Sequence, residues 1–87
     1  MDYAEFSQLA NTTLDAFLGR VPARYREGLE SLIIGGEQRL AVTNLATTLV
    51  ADQVPVTTAE RDGVRRLLEY LNEPIDNLDA LNVSPEP

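Results

Sequence analysis

The sequence predicts an all-α domain, a small bundle of four helices closed by a short fifth helical turn. Apolar residues recur at three- and four-residue intervals in four separate stretches, the period of one helix face. Helix-start and helix-stop residues fall between those stretches. The only stretch that reads as extended, Val54-Pro55-Val56, is a connector.

The first helix starts at Asp2, which can cap it, with Glu5 as capping-box partner. Tyr3, Phe6, Leu9, Ala10, Leu14, Phe17 and Leu18 follow at helical spacing. Asn11-Thr12-Thr13 interrupts with poor helix formers, so a bend or frayed centre is expected there. Gly19 suits a left-handed closing residue.

Pro22 opens the second helix, where a missing N–H is harmless. Its apolar stripe is Val21, Tyr25, Leu29, Leu32 and Ile33, and Gly35-Gly36 stops it. That pair is no phosphate loop, because it lacks a Gly-Lys-Ser/Thr sequence and a preceding strand. The third helix is expected from about Glu37 to about Asp52. It is the most apolar, through Leu40, Ala41, Leu45 and Leu49, and so is expected at the centre.

Pro55 disfavours helix at Val54, and Thr57 with Glu60 forms the capping box of a fourth helix. Val64, Leu67, Leu68 and Leu71 are its stripe, with Asp62 and Arg66 expected to pair on the outer face. Asn72-Glu73-Pro74 ends it. Ile75, Leu78 and Leu81 are spaced to fold one last turn onto the core. Residues 1–82 therefore form one domain, and 83–87 are expected to be a disordered tail.

Composition restricts the chemistry. There is no cysteine and no histidine, so the usual thiol nucleophile, general base and zinc ligands are missing. Together with the lack of any catalytic constellation, this predicts a protein that is not an enzyme and needs no cofactor or metal. The net charge of −7 disfavours nucleic acid and anionic membrane surfaces as partners. It would steer the chain toward a basic protein. No run reaches the roughly 18–20 apolar residues of a membrane span, and Met1-Asp2-Tyr3-Ala4-Glu5 lacks a basic leader segment. A cytoplasmic protein is expected.

The placement of charge is more specific. Asp52, Glu69 and Glu73 fall at or just beyond helix C-termini, where the dipole disfavours anions by about 0.3–1 kcal/mol each. Asp76 and Asp79 follow, and no cation occurs after Arg66. A basic partner would account for these five carboxylates, and acidity for solubility is the alternative. Arg20, Arg24 and Arg26 cluster at the first helix junction. They suit an anion or partner contact, or a solvated helix start paired with Glu27 or Glu30. The Glu27/Glu30 and Asp76/Asp79 pairs read as solvated faces, having no further ligand for a metal. Gly28 and Gly63 lie within helices, either for close crossing or as weak points.

One resemblance is carried by Leu32-Ile33-Ile34-Gly35-Gly36-Glu37, Ala41, Leu45, Leu49, Val54-Pro55-Val56-Thr57, Glu60, Val64, Leu67 and Leu71. This pattern, over residues 24–72, resembles the Maf-type immunity proteins of bacterial polymorphic toxin systems. It departs from them in its paired glycines and in a thin acidic turn, Asp52 alone. The resemblance implies a cytoplasmic immunity protein that binds and blocks a cognate toxin domain with a basic face. The expected contact is Asp52, Glu69, Glu73, Asp76 and Asp79. The competing expectation is a helical adaptor, chaperone or small subunit of a larger assembly.

Overall fold

The computed structural model describes residues 1–84. Its helices are α1 (Tyr3–Leu18), α2 (Ala23–Ile34), α3 (Gln38–Ala51) and α4 (Thr58–Tyr70), followed by a 3-10 turn over Asp76–Ala80. This is the all-α fold the periodicity predicts.

Contacts between helix ends fix the chain directions. Phe6 of α1 stacks on Tyr70 of α4 at 4.4 Å, while Arg20 beyond α1 pairs with Glu60 at the start of α4. These helices are therefore antiparallel. Arg24 at the start of α2 pairs with Asp52 at the end of α3, which makes α2–α3 an antiparallel hairpin. Arg39 of α3 meets Glu73 beyond α4 at 2.6 Å. α3 packs on α1, α2, α4 and the 3-10 turn, and is central.

Local chemistry explains the helix boundaries. Both expected capping boxes form, Asp2 with Glu5 and Thr57 with Glu60. α2, α3 and α4 all end in Schellman-type closures, with Glu37 N–H donating to the Leu32 carbonyl, Val54 to Leu49 and Glu73 to Leu68. The left-handed residue of each closure is Gly36 (φ 75°), Gln53 (φ 49°) or Asn72 (φ 56°). Gly36 meets that requirement without steric cost. Gln53 is held in it by tethers to the C-terminal segment: its amide donates to the Ala80 carbonyl, and the Asn82 amide donates to the Gln53 carbonyl.

The core joins every element. Phe6, Leu14, Phe17, Leu45, Leu49, Val56 and Leu67 are all fully buried, and no polar or charged residue is buried among the described residues. Val54 and Val56 point inward and Pro55 outward, as the connector pattern predicts. Leu78 and Leu81 are buried by the last turn.

Several expectations need correction. α1 is continuous through Asn11-Thr12-Thr13, because Ala10, Leu14 and Phe17 anchor both sides of that segment. Gly19 keeps a right-handed conformation (φ −81°). Asp62 approaches Arg61 (3.4 Å), while the i,i+4 pair on α4 is Arg65–Glu69 (3.6 Å). The tail expected over 83–87 is ordered at its start: Val83 forms a parallel bridge with Val56, and Ser84 N–H donates to the Val56 carbonyl. Residues 85–87 lie outside the described residues. Leu40, expected in the core, is 48% exposed.

A Cβ at Gly63 would meet nothing within 4 Å, so this glycine does not serve close helix crossing. Gly63→Ala is expected to stabilise the fold by roughly 0.5–1 kcal/mol, read as a higher urea midpoint.

Candidate partner-binding surface

The five predicted contact carboxylates do not form one face. Asp52 caps α3 and pairs with Arg24. Glu73 pairs with Arg39, and Glu69 with Arg65. Asp76 and Asp79 lie on the 3-10 turn, in a hollow shared with Arg61 and Arg65, with no ion pair among the described residues. All three of the charges misplaced at helix C-termini, Asp52, Glu69 and Glu73, thus have ion-pair partners within this chain. Helix-end repulsion is offset internally at those sites, and a basic partner is not needed to explain them.

Asp52 is the most enclosed of the five. Its side chain is 17% exposed, and its second carboxylate oxygen is buried without a hydrogen-bond partner. Arg24 is 66% exposed and lies 4.8 Å from the Tyr25 ring centroid. The Tyr25 side chain and then the Asp52 carboxylate hold the Arg24 guanidinium above its ordinary pKa. The pair is open to solvent on the arginine side, where screening weakens it. Relief of the charge at the α3 C-terminus is worth about 0.3–1 kcal/mol in the opposite sense. Asp52→Asn removes the pair together with the anion at the α3 C-terminus, two opposed effects, so the urea midpoint is expected to stay close to that of the parent chain.

The arginine cluster is structural. Arg20 grips Glu60 and the Pro55 carbonyl and lies over the Phe17 ring. Arg26 donates to the Leu18 and Val21 carbonyls, tying down the α1–α2 junction. Neither Glu27 nor Glu30 pairs with any of the three. The partners of Arg20 and Arg24 are 28 to 40 residues away and leave no local sequence signal, while those of Arg26 are backbone carbonyls five and eight residues before it.

The Glu60 carboxyl is held below its ordinary pKa. The Arg20 guanidinium lowers it most, partial burial opposes, and the Thr57 N–H adds to the lowering. A carboxyl whose folded pKa is depressed adds stability above its unfolded pKa and loses it as pH falls through the folded value. Glu60→Gln is therefore expected to reduce stability at neutral pH and flatten its decline below pH 4.5, measured by thermal melts across pH.

The remaining surface is marked by unpartnered acids. Asp15, Glu27, Glu30, Glu37, Asp76 and Asp79 have neither an ion pair nor a side-chain hydrogen bond among the described residues. Arg66 is the one arginine in the same condition among the described residues. No group of three or more metal-ligating side chains converges among the described residues. No helix is long and apolar enough to cross a membrane. Compared with models of protein families, with curated proteins and with solved structures, the chain finds no match.

Proposed function

We propose that this chain is a cytoplasmic immunity protein that neutralises a cognate toxin domain by one-to-one binding. The observation that carries the reading is the imbalance of free charge. Six carboxylates lack a partner among the described residues, against one arginine. Such a surface accelerates encounter with a basic protein and repels other acidic chains. The pattern over residues 24–72 that resembles the Maf-type immunity proteins supports the same reading. A chain without histidine or cysteine suits occlusion better than turnover. Co-expression with any toxin domain encoded by a neighbouring reading frame tests it. Growth arrest by that domain is expected to be relieved by this chain. Persistent arrest, with both proteins folded and expressed, would refute the reading.

The adaptor, chaperone or small-subunit reading is favoured by one specific observation. Tyr25, Ile34 and Leu40 are large apolar residues exposed on the α2–α3 hairpin. Binding that ignores salt but is lost in Tyr25→Ala would select that reading. Tyr70 is stacked on Phe6 and is a poorer probe.

A further inference from the structure

Residues 74–84 are joined to the helices differently from everything before them. Glu73 is still pinned, by its ion pair with Arg39 and by its N–H bond to the Leu68 carbonyl. From Pro74 onward the chain makes no ion pair among the described residues. Its single turn, Asp76–Ala80, is of the 3-10 type and is closed by bonds of 3.1 and 3.2 Å at the Leu78 and Leu81 N–H groups. Such a turn holds less firmly than α-helix, because its hydrogen-bond geometry is poorer.

Two side chains of the segment are buried among the described residues, Leu78 and Leu81. Leu78 lines two hollows. One, of about 150 Å³, lies toward α3 and is bordered by Ala46 and Val50. The other, of about 360 Å³, lies toward α4 and is bordered by Arg61 and Arg65. A side chain with open space beside it forfeits part of the dispersion attraction of a closely packed one. The hydrogen bonds that tie the segment down all go to Gln53 and Val56. Gln53 Nε2 donates to the Ala80 carbonyl at 2.8 Å, and Asn82 Nδ2 to the Gln53 carbonyl at 3.0 Å. Val56 N–H donates to the Asn82 carbonyl at 3.0 Å, and Ser84 N–H to the Val56 carbonyl at 2.8 Å. The segment is thus a strap, hinged at Pro74, loosely seated at Leu78 and clasped over residues 80–84.

We infer that residues 74–84 open and reclose as one unit while the four helices stay folded. Segments with few buried contacts open at a lower free energy than the core they rest on. The clasp makes the opening cooperative, because Gln53 and Val56 each bond two positions of the strap, so that losing one bond loosens its neighbour. Opening has a defined consequence. Val54 and Val56 are buried, and Val56 spends both of its backbone groups on the strap. Without it they would form an extended edge with an unpaired N–H and C=O, the kind of edge that pairs with other strands. The closed strap covers that edge. Gln53 is also the left-handed residue that closes α3 (φ 49°), so the same motion loosens the last turn of the central helix. None of this depends on what the chain binds.

Native-state hydrogen exchange of the intact chain, followed by NMR through a series of low urea concentrations, tests the strap. The Val56 and Ser84 amides, both bonded across the clasp, are expected to show matching opening constants. These should exceed those of Leu45 and Leu67, in the centres of α3 and α4, by at least about tenfold. Urea should raise them only slightly, because freeing the strap exposes little surface, whereas Leu45 and Leu67 should respond steeply. Asn82→Ala removes one clasp bond and should raise exchange at Val56 and Ser84 together, by about twofold to tenfold. Leu29→Val, where α2 meets the middle of α3, should speed exchange at Leu45 and Leu67 and leave Val56 and Ser84 unchanged. Exchange at Val56 and Ser84 no faster than at Leu45 and Leu67, or with the same urea slope, would show that the strap leaves only when the whole molecule unfolds. Fast exchange at Ser84 alone would show a frayed end in place of a unit. Either result overturns the inference, as does a Val56 amide that ignores Asn82→Ala or follows Leu29→Val.

Discussion

Phe6→Ala is expected to destabilise the fold by about 3–5 kcal/mol, the range for emptying a fully buried aromatic site. Phe6 is 2% exposed and lies where α1 meets α4. Its ring stacks on Tyr70 at 4.4 Å with planes 15° apart, so truncation removes a packed aromatic pair as well as apolar volume. The Arg20–Glu60 pair joins the opposite ends of the same two helices, away from the aromatic contact. A domain of this length has a total stability of roughly 4–13 kcal/mol. The loss is therefore a large share of the whole, and the melting temperature should fall on the order of 20 °C. Phe6→Leu, which keeps most of the volume, should lose clearly less. Equal losses for the two variants would show that the α1–α4 contact is not packed in this way.

The second large effect concerns association. Reversing Asp76 and Asp79 to arginine changes the net charge from −7 to −3, since each reversal adds two units. Both residues are on an exposed turn, and because the reversed side chains share a hollow with Arg61 and Arg65 a modest loss of stability is expected beside the kinetic effect. The rate of association with a basic partner should fall on the order of tenfold at low salt. The difference should shrink as ionic strength rises, because steering is screened over a Debye length of about 8–10 Å. Stopped-flow association measured across a salt series reads this directly. An unchanged rate at low salt would remove these carboxylates from the encounter surface.

The parts of this fold that could be read in the sequence are those set by neighbours along the chain. Asp2 with Glu5, Thr57 with Glu60 and the Gly35-Gly36 stop depend on residues three or fewer positions apart, and each appears where expected. The parts that could not be read depend on distant partners. Asp52 and Glu73 looked misplaced because Arg24 and Arg39 are 28 and 34 residues away. Gln53 gave no sign of a left-handed conformation because Ala80 and Asn82 hold it there. Leu40 was expected in the core because α3 is apolar on nearly every side, and periodicity does not say which side of such a helix is left uncovered.

The central claim is that this chain acts by occupying its partner, mole for mole. It is tested most directly by titrating it into a fixed amount of a toxin domain that it rescues in co-expression and measuring residual toxin activity at concentrations well above the dissociation constant. A linear fall that reaches its floor at one equivalent is the expected result. A loss of activity completed by a small fraction of an equivalent, or no loss at any ratio, would contradict it.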